Sequence, residues 1–179
     1  MATRSRKQPN LRKLNLIGVD MSSVPFASLM NLTSSITFIC LSFCKLRGEL
    51  PEHILRLPVL QLILSDNFLN RIIPPWIFAL PSLMYLDLSN NFITEIPAMV
   101  CNMKSLEILD FSYNSFSGGI PPCIEFLSIL LVLDLRANKF HGTIPATCAN
   151  INGTLRNLNL NGNLLEGPLP PIISLLQES

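Results

Sequence analysis

Strong charge of either sign is missing from this 179-residue chain, in which 13 Lys and Arg stand against 12 Asp and Glu. A nucleic-acid binder gathers a basic excess on one face, so that class is excluded. Only 14% of residues are charged and 49% are hydrophobic, the reverse of what keeps a chain disordered. Long apolar runs are missing as well. The longest stretch, Phe126–Leu135, is broken by Ser128 and Asp134, short of the roughly 18 apolar residues a membrane helix needs. Behind the basic residues 1–10 there is no apolar segment of about 7 to 15 residues such as a secretory signal requires. The chain as given is expected to be cytosolic or a piece of something larger. Its five cysteines include no CxxC pair, which argues against a metal site. No glycine-rich phosphate loop or kinase signature occurs, and no cofactor is expected.

What is present is a repeat. The pattern L-x-x-L-x-L-x-x-N recurs seven times, closing at positions 19, 44, 67, 91, 114, 138 and 163, which are 23 to 25 residues apart. The units read Leu11/Leu14/Leu16/Val19, Ile36/Ile39/Leu41/Cys44, Val59/Leu62/Leu64/Asn67 and Leu83/Leu86/Leu88/Asn91. Leu106/Leu109/Phe111/Asn114, Leu130/Leu133/Leu135/Asn138 and Leu155/Leu158/Leu160/Asn163 complete the set. Self-similarity at this period is the signature of a solenoid. The reading is an α/β leucine-rich-repeat horseshoe segment of about seven 24-residue repeats, with a parallel β-sheet on its concave face. Residues 1–10 are read as a basic polar extension and residues 11–179 as the repeat domain, without cysteine caps.

Each position has a physical reason. The L-x-L core is a short strand whose alternate side chains point inward. An Asn stacked behind each strand carries both a donor and an acceptor for turning backbone that would otherwise be orphaned. Cys44 replaces it as a weak thiol donor and Val19 cannot, so the ladder is expected to end at the first repeat. Segments such as Gly48-Glu49-Leu50-Pro51, Gly118-Gly119-Ile120-Pro121, Gly142-Thr143-Ile144-Pro145 and Gly167-Pro168-Leu169-Pro170 supply a tight turn and a pre-set φ. Apolar pairs three apart follow (Ile54/Leu57, Ile77/Leu80, Val100/Met103, Ile124/Leu127), which predicts a helical or 3₁₀ turn on the convex side.

The unit LxxLxLxxNxLxGxIPxxLxxLxx, with its G-x-[IL]-P segment, resembles the plant-specific subclass of leucine-rich repeats. The strings Asn31-Leu-Thr-Ser, Val100-Cys-Asn-Met-Lys-Ser-Leu-Glu-Ile-Leu-Asp, Ile120-Pro-Pro-Cys-Ile and Leu158-Asn-Leu-Asn-Gly-Asn-Leu-Leu-Glu-Gly-Pro-Leu-Pro are similar to ectodomains of plant receptor-like proteins of the disease-resistance type. The resemblance covers nearly all of residues 11–178. It implies a recognition module facing the cell wall, outside the plasma membrane, that takes a peptide, protein or glycan ligand and signals in defence or development through partner receptor kinases. The family's signal peptide, cysteine-paired cap, membrane span and tail have no counterpart here, so the chain reads as a fragment or truncated product. Alternatives are a soluble inhibitor similar to polygalacturonase-inhibiting proteins, or a truncated fragment without function. The sequons Asn31-Leu32-Thr33 and Asn152-Gly153-Thr154 are glycosylation sites for a secreted form only.

The concave face carries the candidate contacts, because outward strand positions form a solenoid's usual binding surface. One column reads Asn15, Cys40, Ile63, Asp87, Asp110, Asp134 and Asn159, and its three carboxylates favour a basic partner, unless each Asp simply bonds its own turn. The column beside it includes Phe38, Gln61 and Tyr85, and a third ends in Arg136 and Asn161. Phe38, Gln61, Tyr85, Asp87, Asp110, Tyr113, Asp134 and Arg136 are the ligand-contact candidates, Phe38, Tyr85 and Tyr113 as aromatics projecting from strands. Trp76, on the far side, is assigned to packing or edge decoration. His53 and His141 are placed in turns of separate repeats, away from the strand face, so no nucleophile–base pair is expected and the chain is read as not an enzyme. Cys101 and Cys123 occupy nearly equivalent places in adjacent repeats, which leaves a disulfide open if their Cα atoms meet its strict separation.

Overall fold

A computed structural model describes residues 11–23, 35–48, 57–146 and 154–170. Twelve short strands are present among the described residues. In chain order they are β1 (Lys13–Asn15), β2 (Phe38–Cys40), β3 (Gln61–Ile63), β4 (Asn70–Ile72), β5 (Tyr85–Asp87) and β6 (Phe92–Glu95). The others are β7 (Ile108–Asp110), β8 (Ser117–Gly118), β9 (Val132–Asp134), β10 (Lys139–Thr143), β11 (Asn157–Asn159) and β12 (Leu164–Glu166). Seven of them form one parallel sheet in the order β1-β2-β3-β5-β7-β9-β11, each pair in strict register. Leu14, Ile39, Leu62, Leu86, Leu109, Leu133 and Leu158 are therefore stacked at matching positions, and the five from Ile39 to Leu133 are buried. Every buried leucine removed from water contributes about 1.5–3 kcal/mol, and behind the strands Phe111, Phe116 and Phe140 stack at 5.0 and 6.0 Å.

The asparagine ladder is formed. Asn67 Oδ1 accepts from the Cys44 and Leu46 amides at 3.1 and 2.9 Å, while its Nδ2 donates to the Leu41, Leu64 and Ser65 carbonyls. Asn91, Asn114, Asn138 and Asn163 repeat this pattern, each bridging its own turn to the preceding repeat. The Cys44 thiol takes the donor half of the role, reaching the Leu16 carbonyl at 3.0 Å, and burial pushes its pKa up. Val19 is exposed and contributes nothing to the ladder.

The convex turns fall where the three-residue spacing puts them. 3₁₀ helices occupy Pro75–Ala79, Ala98–Asn102 and Pro122–Phe126, burying Ile77, Val100 and Ile124. Trp76 is buried in the first of these, so its role is packing. Ile54, His53, Cys148, residues 1–10 and both sequons, Asn31 and Asn152, lie outside the described residues.

Two features depart from expectation. The turning segment after each of the five ladder asparagines is itself a short strand: β4 pairs β6, and β8, β10 and β12 form a second parallel sheet on the flank. His141 consequently sits in a strand rather than a turn. Where glycine is absent from this segment, Arg71 and Glu95 continue as extended strand, with the register shifting between Arg71 and Ile72. The second feature is a column of left-handed residues directly before each ladder position: Gly18, Phe43, Asp66, Asn90, Tyr113, Ala137 and Gly162, with φ between 52° and 76°. A residue carrying a Cβ pays about 1–2 kcal/mol in that conformation. The turn demands it in every repeat, because the following side chain must swing inward to the ladder.

Candidate functional site

The concave surface is built from the strand positions facing away from the core. Tyr85 and Asp87 flank the buried Leu86 on β5, and Ile108 and Asp110 flank Leu109 on β7. In-register pairing places Asp87, Asp110 and Asp134 side by side across β5, β7 and β9. Phe38 and Gln61 lie on the same face, Phe38 half-buried under the Lys13 ammonium at 5.8 Å and Gln61 exposed.

Each carboxylate holds the turn that follows it. Asp87 Oδ1 accepts from the Ser89 amide at 2.9 Å and its hydroxyl at 2.6 Å, and Asp110 does the same with Ser112. Asp134 accepts from the Arg136 amide at 3.0 Å. Local bonding is thus part of what these residues do. It engages Oδ1 of each, while Oδ2 of Asp134 lies 3.3 Å from Arg136 Nε and 3.5 Å from Asn159 Nδ2. Asp87 and Asp110 form no ion pair among the described residues.

Asp87 is only 9% exposed. Burial first, then the Asp110 charge, pushes its pKa above the ordinary carboxylate value against the pull of Ser89 and Ser65. The Ser42 and Ser65 hydroxyls share a hydrogen bond at 2.9 Å beside Asp87. The Cys40 thiol lies 3.6 Å from the Ser42 hydroxyl, ending a buried polar chain along the concave floor. Cys40 faces the concave side as its column requires but is buried, so it offers no contact surface. Burial and the Asp87 and Asp110 charges raise the Tyr85 hydroxyl, while burial and Asp110 raise Asp134.

Tyr113 departs from its expected place on a strand. It lies in the left-handed turn after β7, 52% exposed, with the Arg136 guanidinium 5.2 Å from its ring centre. Tyr85, Asp87, Asp110, Tyr113, Asp134 and Arg136 form one continuous strip across three repeats. Gln61 and Phe38 sit one and two strands away, on β3 and β2.

The flank holds exposed groups that strand alternation did not reveal. Phe68 and Phe92 stack at 6.1 Å, and the Arg47 guanidinium lies 4.4 Å from the Phe68 ring centre. On the convex side Cys101 and Cys123 are joined as a disulfide, their Cα atoms 5.6 Å apart.

A parallel strand stack closed by an asparagine ladder, with a polar and aromatic concave strip, defines the leucine-rich-repeat class of recognition scaffold. Profiles described as leucine rich repeat match residues 59–116 and 154–176. Receptor-like protein 53 of Arabidopsis thaliana is 36% identical over 170 residues, covering 92% of this chain and 17% of that protein. The ectodomain of the Arabidopsis thaliana membrane receptor kinase GASSHO1/SCHENGEN3, solved with CASPARIAN STRIP INTEGRITY FACTOR 2, superposes with a TM-score of 0.78 at 29% identity, covering 94% of this chain and 23% of that one. The Arabidopsis receptor kinase HAESA, solved with the peptide hormone IDA and the co-receptor SERK1, gives 0.72 at 30% identity, with 94% and 28% covered. The chain belongs to the plant leucine-rich-repeat receptor-like proteins. It spans about a sixth of the length of Receptor-like protein 53, and among the described residues no helix is long and apolar enough to cross a membrane.

Proposed function

We propose that this chain is part of an extracellular recognition surface that binds a peptide or protein segment along its concave face and acts through a partner receptor kinase. The observation that carries the reading is the pair Asp87 and Asp110, which lies between Tyr85 and Tyr113 and forms no ion pair among the described residues. A basic side chain laid across it gains two carboxylates and aromatic faces for stacking. Arg136, paired to Asp134 and stacked on Tyr113, bounds the site at one end. Phe38 and Gln61 extend it along the sheet. The complex of HAESA with a peptide hormone and a co-receptor supports this mode of action. The Cys101–Cys123 disulfide supports an oxidising, extracellular setting, where Asn31 and Asn152 would carry glycans. The reading assigns no catalytic step or cofactor to the chain, and places the extension at residues 1–10 ahead of the repeat domain at 11–179.

A fluorescent tetra-arginine peptide titrated onto the intact chain tests this. Binding is expected to weaken at least about tenfold in Asp110→Asn, a loss of about 1.4 kcal/mol. Equal affinity for the two proteins, or equal binding of a tetra-aspartate peptide, sinks the reading.

A further inference from the structure

The residue directly after each ladder position stands on the flank, outside the concave strip. In chain order this row reads Lys45, Phe68, Phe92, Ser115, Lys139 and Leu164. The next residue in the chain is buried at Leu46, Leu69, Ile93, Phe116 and Phe140, so the first five members of the row point outward. Phe68 and Phe92 stand one repeat apart, 6.1 Å between ring centres and with planes 9° from parallel. Arg47, from the repeat before, bridges to Phe68 through backbone and sets its guanidinium 4.4 Å from that ring centre.

Toward the following repeat the stack stops. There the row continues with Ser115, whose side chain is too short to cover a ring, and Phe92 is 56% exposed. Beyond Ser115 stands the exposed Lys139, at the start of β10. Two steps of the spacing seen between Phe68 and Phe92 separate the Phe92 ring from Lys139, with Ser115 midway. A third ring seated over Ser115 would lie about 6 Å from Phe92, an ordinary stacking distance, and about as far from the Lys139 ammonium, within cation–π reach.

We propose that the gap over Ser115, between Phe92 and Lys139, is a docking slot for an aromatic side chain of a partner protein, best an indole, with an acidic residue beside it. Phe92 and Lys139 select the ring, because one offers a face and the other a cation to the same group. The Ser115 hydroxyl on the floor of the slot can accept from an indole N–H. Charge selects the neighbour: Arg47 and Lys139 border the row on its two sides, and neither forms an ion pair among the described residues. The carboxylate on β6, Glu95, lies at the other end of that strand, opposite Ile72. The slot does not depend on reading Asp87 and Asp110 as ligand contacts.

The acetylated, amidated tripeptide Glu-Trp-Glu is titrated onto the intact chain and followed by amide NMR, beside Glu-Leu-Glu and Lys-Trp-Lys. The readout is the Ser115 amide, so capture of the basic peptide by Asp87 and Asp110 is not counted. Glu-Trp-Glu is expected to shift this amide and to bind there at least about fivefold more tightly than either control. Phe92→Ala is expected to weaken it at least about fivefold, and Lys139→Gln about threefold. Ser115→Phe, which seats the chain's own ring in the slot, is expected to abolish binding. Phe92 and Lys139 are exposed, so their variants are expected to keep the native urea midpoint. Should Phe92→Ala lower it, Lys139→Gln and Ser115→Phe decide. A Ser115 amide unmoved at the solubility limit of Glu-Trp-Glu overturns the proposal. So does equal binding of either control at that amide, or affinity that none of the folded variants changes.

Discussion

Replacing Asn91 with alanine puts the ladder to its sharpest test. Asn91 is buried, its Oδ1 accepts from the Leu69 amide at 3.0 Å, and its Nδ2 donates to the Leu64, Leu88 and Ser89 carbonyls at 3.0, 3.1 and 3.0 Å. Alanine removes all four bonds. Carbonyls tolerate the loss of one partner better than an amide does, so the Leu69 N–H carries the largest penalty. A buried group left unpaired costs about 1–3 kcal/mol, and the three weakened carbonyls add about 0.5 kcal/mol each where water enters. The expected loss is about 3 kcal/mol, read as a lower urea midpoint at unchanged slope. Exchange of the Leu69 amide is expected to accelerate more than that of neighbouring core amides. Asn91→Asp keeps an acceptor but aims a buried charge at three carbonyl oxygens, so it is expected to be worse than alanine. If alanine costs under about 1 kcal/mol, or if Asp is the milder change, the ladder is not what holds these turns.

Three further outcomes follow from the same geometry. Cys44→Asn restores an acceptor and a second donor to the ladder, and is expected to stabilise the chain by about 1 kcal/mol in urea unfolding. Ala137, in the left-handed column with φ 52°, is expected to become more stable as Ala137→Gly. The gain, about 0.5 kcal/mol in the same assay, is the Cβ penalty less the greater chain entropy of glycine. Asp87, held above its unfolded value by burial, binds more protons folded than unfolded, so ionising it opposes folding. Native stability is expected to fall as pH rises from about 3.8 through the raised midpoint. Asp87→Asn, which keeps an oxygen for the Ser89 amide, is expected to flatten that stretch of the melting-temperature profile.

Much of the architecture was legible because a solenoid writes its neighbours into its own period. Leu62 and Leu86 are 24 residues apart and stack in register, so the interval that names the repeat also names the contact. The convex turns were legible from Ile77/Leu80 and Val100/Met103, since a three-residue apolar spacing suits a 3₁₀ turn. Cys44 and Val19 were assigned correctly by counting donors. The flanking strands were not legible: residues such as Asn70–Ile72 and Lys139–Thr143 pair through backbone, and their side chains show no clean alternation. Tyr113 and Arg136 were found as types but not as a pair, because the left-handed turn that brings ring and guanidinium together belongs to backbone dihedrals.

By itself the sequence determined the period, the inward face of each strand and the residues able to satisfy a buried turn, all of which follow from side-chain chemistry repeated at fixed spacing. Only the tertiary structure decided which carboxylates form no ion pair among the described residues, which thiol is buried and which two cysteines meet. Those outcomes depend on distances between repeats, and such distances exist only once the repeats have stacked.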